Sequence, residues 1–153
     1  MLHKRRRDMA LVSQPVVGFS SEVAADLSDK RVQRQLSPAA RKAFFKIADT
    51  WNIRDQEAKR LLGGISNGAF YQLKGGGLKT PLDQDRLVRV SLLVGIFKAL
   101  NHLYSRKLAD AWISLPNTNP MFAGDTPLLY MIKGGQPAIM RVRQLLDARR
   151  VAQ

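Results

Sequence analysis

Residues 37–77 read SPAARKAFFKIADTWNIRDQEAKRLLGGISNGAFYQLKGGG, and this stretch decides the fold. Ser37-Pro38 has the form of a helix start, with Ser as the cap and Pro where its missing N–H costs nothing. Ala40, Phe44, Ile47, Ala48 and Trp51 then recur on one helical face. A second, shorter helix is predicted from Arg54 or Asp55 to Leu62, with Ala58, Leu61 and Leu62 turned inward. Gly63-Gly64 ends it, because glycine tolerates the left-handed conformation a helix terminus needs. Ser66 can cap a third helix that reaches Lys74, and Gly75-Gly76-Gly77 forces a break. Three short helices with a tight glycine turn between the second and third form a helix-turn-helix pattern.

Two details of that pattern are unusual. Such motifs usually carry a small residue four positions before the turn glycine; here Ala58 lies five before Gly63, and Lys59 takes the expected place. Gly68 weakens the third helix by roughly 0.5–1 kcal/mol relative to Ala, a cost that docking on a core can absorb.

Downstream, Asp83 and Asp85 open a long helix to about Tyr104, where their carboxylates favour the positive end of the helix dipole. Leu87, Val90, Leu93, Val94, Phe97 and Leu100 cover most of its circumference, so it must be buried nearly all round, against a partner subunit as well as a domain core. A shorter helix through Leu108 and Trp112 ends at Pro116. Thr126 caps and Pro127 begins another, which stops at Gly134. The last helix starts at Pro137, with Ala138, Ile139, Val142, Leu145 and Leu146 opposite Arg141, Arg143, Arg149 and Arg150. No convincing alternating run points to a sheet, so the expected fold is all-α. The expected organisation is a mobile basic tail over 1–36, which could hold a short helix from Glu22 to Gln35, a helix-turn-helix DNA-binding domain over 37–80, and a helical dimerisation domain over 81–153.

Composition narrows the function. The 153 residues contain no Cys and only His3 and His102, which excludes a disulfide framework, thiolate zinc sites and thiol catalysis and leaves little for a histidine-based centre. The net charge of +13 favours polyanions. The segment from Ser37 to Thr80 is the most basic, with eight Lys or Arg against three Asp or Glu. The N-terminal run Lys4-Arg5-Arg6-Arg7, followed by a brief apolar patch from Val16 to Phe19, does not form a secretory signal. The most apolar region, Leu87 to Leu100, is interrupted by Arg89 and Lys98 and is too short to span a membrane. A cytoplasmic protein, nucleoid-associated when bound to DNA, is expected.

The third helix offers Ser66, Asn67, Tyr71, Gln72 and Lys74 as polar surface, with Phe70 and Leu73 turned to the core. Asn and Gln can pair bidentately with adenine, Ser can reach a base edge or a phosphate, and Lys can hold a phosphate. Lys79 joins them as a candidate phosphate contact. Gly75 to Thr80 is not a phosphate-binding loop of the nucleotide-binding kind: Leu78 separates glycine from Lys79, and a helix rather than a strand precedes it. Asp83 and Asp85 serve the helix start rather than form a catalytic pair, and Trp51, Trp112 and Phe122 are read as core. No catalytic constellation emerges.

Over roughly residues 40–150 the chain resembles Xre-type antitoxins of the Xre/MbcA/ParS class, partners of RES-domain toxins. The resemblance rests on Trp51, Glu57-Ala58 and Leu61-Leu62-Gly63, then on Asp85, Leu87, Arg89-Val90-Ser91, Gly95-Ile96 and Lys98-Ala99-Leu100. It is most specific in Trp112, Pro116-Asn117, Phe122, Gly124, Pro127-Leu128 and Gly134. Leu73 stands where such antitoxins often carry Trp, and Ala123 replaces a common Gly. The resemblance implies a homodimeric antitoxin that binds its own promoter and covers the active site of an NAD-degrading toxin, which makes 81–153 a helical dimerisation and toxin-binding domain. By position the toxin-covering end is Arg141 to Gln153, with Arg141, Arg143, Arg149 and Arg150 as candidate contacts. It implies no catalysis, cofactor or metal for this chain. The alternative is a helix-turn-helix transcription regulator whose C-terminal module only dimerises or senses a ligand.

Overall fold

The computed structural model describes residues 25–77 and 79–152. The Lys4–Arg7 run, the Val16–Phe19 patch, the start of the helix predicted from Glu22, Leu78 and Gln153 lie outside the described residues. Within them the chain is all-α: α1 (Lys30–Thr50), α2 (Asp55–Leu61), α3 (Asn67–Lys74), α4 (Gln84–Leu103), α5 (Arg106–Ala111) and α6 (Pro127–Ala152), with 3-10 turns at Trp112–Ser114 and Pro120–Phe122. No strand occurs among the described residues.

The first helix departs from expectation. It begins at Lys30, where the Asp29 carboxylate accepts the Arg31 N–H at 2.8 Å, and Ser37 and Pro38 lie inside it. Pro38 is exposed, so the lost hydrogen bond falls on the solvent side, where water can replace it. The Ser37 hydroxyl donates to the Gln33 carbonyl and accepts the Leu82 N–H at 2.8 Å. It fastens a distant segment to α1 instead of capping a helix. Gln33, 4% exposed, donates to the Leu27 carbonyl at 2.8 Å and holds the early turns in place.

The remaining elements follow their local signals closely. Gly63 and Gly64, both at positive φ (89° and 81°), end α2, and the Ser66 hydroxyl accepts the Ala69 N–H at 3.3 Å to start α3. Asp83 caps α4 by accepting the Arg86 N–H at 3.0 Å. The Thr126 hydroxyl does the same for Leu129 at 3.2 Å. The stop expected at Gly134 falls one residue later, where Gly135 leaves helical geometry at φ 68°, ψ −153° and divides α6.

The central element is α4, packed by α1, α5 and α6 of its own chain, with α2 against α6 and α3 against α1. Leu87, Val90, Leu93, Ile96, Ala99 and Leu100 are buried by these neighbours, while Val88, Val94 and Phe97 are partly buried. Trp51, Trp112 and Phe122 are core residues, and Phe122 meets Trp112 and Tyr130 edge-on at ring separations of 6.2 Å and 5.2 Å. A single apolar core runs from Ala40 through Phe70 and α4 to Leu146. Each fully buried large apolar side chain contributes roughly 1.5–3 kcal/mol. No helix among the described residues is long and apolar enough to cross a membrane.

Candidate functional site

The unit α2–turn–α3 is braced from three sides. Beneath the turn, Arg89 of α4 donates from Nε to Asp85 at 2.8 Å and from a terminal nitrogen to the Leu61 carbonyl at 3.3 Å. The φ of 89° favours glycine at Gly63, and a methyl group there would also press on the Arg89–Asp85 pair, 3.1 Å from Arg89 Nε and 3.2 Å from an Asp85 oxygen. Gln136, just beyond the break in α6, donates to the other Asp85 oxygen at 3.1 Å. At the far end of α3, Arg41 of α1 donates to the Leu73 carbonyl and, at 2.9 Å, to the Lys74 carbonyl. A cation on the last carbonyls of a helix satisfies orphan acceptors and complements the dipole.

Phe70 and Leu73 anchor α3 in the core and leave a polar face outside. Asn67, Tyr71 and Lys74 share one line of that face at helical spacing. Tyr71 is 51% exposed and lies edge-on to Phe70 at 5.4 Å. Lys59 runs beneath this line with its stem buried: Nζ donates to Asn67 Oδ1 and sits 5.7 Å from the Tyr71 ring centre. Lys74 pairs with Asp55 of α2 at 2.9 Å. The hydrogen bond from Lys74 holds the Asp55 carboxyl below its ordinary pKa, and the same bond raises that of Lys74. The pair is therefore charged on both sides throughout the neutral range.

On the other flank, Ser66, Gln72 and Lys79 line a shallow groove of about 320 Å³ together with Thr80 and Arg86. Gln72 is exposed, and the chain folds back on it so closely that a methyl at Gly77 would lie 3.2 Å from its Cγ. The six residues singled out from the sequence thus fall in two sets, Asn67, Tyr71 and Lys74 on one flank and Ser66, Gln72 and Lys79 on the other. Arg41, Lys59, Arg86 and Arg89, which hold or border this face, were not anticipated. Lys59 left a trace in the sequence as a charged residue where a small one belongs, and Arg89 as one of the residues that carry the resemblance.

The C-terminal arginines are unequal. Arg143 donates to Asp147 at 2.9 Å and lies flat over Gly95 of α4, where a methyl group would collide with its guanidinium. Arg149 donates to the Tyr104 hydroxyl at 3.1 Å and is partly buried. Arg141 is exposed, with the Tyr130 hydroxyl at 3.4 Å. Arg150 is exposed and borders a shallow depression with His102, Asp147 and Val151, the last 87% exposed.

The class this defines is an all-α protein with a buried central helix and two short helices, joined by a glycine turn, that pack on α6 and α1. The chain belongs to the family of the uncharacterized protein y4oB of Sinorhizobium fredii (strain NBRC 101917 / NGR234), to which it is 39% identical over 114 residues, covering 74% of this chain and 85% of that protein. No family model matches the chain. No solved structure gives a significant match.

Proposed function

We propose that this chain is a homodimeric antitoxin of the RES–Xre kind, which neutralises a RES-type NAD-degrading toxin by covering its active site and represses its own operon by binding promoter DNA. The observation that carries the DNA half is the α3 face: two short helices meet at a double-glycine turn, and the second turns Ser66, Asn67, Tyr71, Gln72 and Lys74 outward. A helix so presented suits the major groove. With Asn67 Oδ1 engaged by Lys59, Gln72 is the better candidate for reading a base. The toxin half is supported by the resemblance of the Trp112–Gly134 segment and by the exposed end of α6, where Arg141, Arg150 and Val151 offer contact. The internal bonds of Arg143 and Arg149 favour the second reading, a regulator whose C-terminal module serves only the chain itself or a ligand.

The two readings part in one experiment. A RES-type toxin expressed from the neighbouring reading frame should arrest growth, and this chain should restore it. The pair Arg141→Glu and Arg150→Glu should weaken the rescue while leaving the melting temperature near that of wild type. A wild-type chain that fails to rescue leaves the regulator reading. On the promoter duplex, Gln72→Ala should cost roughly 1–3 kcal/mol of binding. Equal affinity of both proteins in a gel-shift titration would remove Gln72 from base reading.

A further inference from the structure

From Lys30 to Thr50, α1 carries six cations, Lys30, Arg31, Arg34, Arg41, Lys42 and Lys46, against one carboxylate, Asp49. At 3.6 residues per turn all six fall within an arc of about 160° that adjoins the buried stripe of Ala40, Phe44 and Ile47 along the Lys30–Arg41 edge, and Asp49 lies within the same arc. Of the five basic residues of α6, two are matched by carboxylates, Lys133 to Asp125 at 3.0 Å and Arg143 to Asp147 at 2.9 Å, and Arg149 by the Tyr104 hydroxyl at 3.1 Å. Those of α1 are not. Among the described residues only Arg31 has a carboxylate within 4 Å, Asp29 at 3.8 Å, and Arg41 is committed to the carbonyls at the end of α3. The side chains of Lys30, Arg34, Lys42 and Lys46 have no hydrogen-bond or ion-pair partner among the described residues.

The start of this row is fixed in place. Asp29 caps its start, and Gln33 and Ser37 tie its early turns to Leu27 and Leu82. From Lys30 to Lys46 it runs about 24 Å, with the charges in two clusters, Lys30 to Arg34 and Arg41 to Lys46, about 10 Å apart. One strand of B-DNA carries a phosphate charge per about 3.4 Å of axis. Through Arg41 the row borders the C-terminal end of α3.

We infer that the outer face of α1 is a second DNA contact, a rail for the phosphate backbone that runs beside the α3 face. The inference rests on the DNA-binding half of the proposed function. Its side chains position the duplex and read no sequence.

The test uses the full chain and a labelled random-sequence DNA duplex, titrated by fluorescence anisotropy over a range of salt. Removing three rail cations (Arg34→Gln, Lys42→Gln, Lys46→Gln) should make the plot of log affinity against log salt shallower by about 2–3. A charge-matched control on exposed positions elsewhere (Lys98→Gln, Arg106→Gln, Lys107→Gln) should keep the wild-type slope. An unchanged slope in the rail variant, or equal losses in both variants, overturns the rail. If Gln72→Ala still weakens binding to the promoter duplex in that case, the α3 reading stands without it. If the wild-type chain binds neither duplex at low salt, both fall together.

Discussion

Gly68 sits in the second position of α3, in the middle of its outer face, with ordinary helical φ. A methyl group there would meet nothing within 4 Å. Nothing inside the chain demands glycine, unlike Gly63 over Arg89 or Gly95 under Arg143. An empty place at the centre of a polar face allows the helix backbone to approach another molecule closely. Gly68→Ala should therefore stabilise the fold by about 0.5–1 kcal/mol and weaken promoter binding several-fold. A urea melt and a duplex titration on the same sample check both arms; a more stable protein with undiminished affinity would leave Gly68 without a role in the interface. Lys59 makes the complementary point. A charged residue in a buried place is tolerable because its stem packs while Nζ finds Asn67 and the faces of Phe70 and Tyr71.

At the scale of elements, Ser37 shows what a hydroxyl can do away from a helix end. Ser37→Ala would leave the Leu82 N–H buried without an acceptor, and the expected loss is about 1–3 kcal/mol. Asp29→Ala, which removes the cap actually used, should cost about 1 kcal/mol. Chemical denaturation of the two variants checks this, and a neutral Ser37→Ala would show that water can take over the Leu82 N–H. The same residue marks the boundary of what the sequence discloses. The glycine pairs, the Ser66, Asp83 and Thr126 caps and the apolar stripes act within a few residues, so α2, α3, α4 and the two halves of α6 could be read directly. Ser37-Pro38 fits a helix start equally well on local grounds, and only its partner at Leu82, forty-five residues on, decides otherwise. The polar face of α3 was legible for the same local reason. Its division into two flanks, and its support by Arg41, Lys59 and Arg89, depend on partners on other elements and left almost no sign.

At the scale of the molecule, one continuous core joins the α3 anchors Phe70 and Leu73 to Val142 and Leu146 in the second half of α6. Deleting residues 141–153 should therefore do more than remove an exposed end. It would strip Val142 and Leu146, both fully buried, and lower stability by several kcal/mol, which a thermal melt of the truncated chain would register. A truncated chain that melts like the full one would mean the last turns of α6 add little to the core. The shared core also bears on how such a protein ends. A protease that gains the C-terminal helix pulls away the support of α4 and, through it, the seat of the double-glycine turn. Degradation begun at one end would leave no surviving half still able to present α3, so loss of the chain would be all-or-none for every surface it carries.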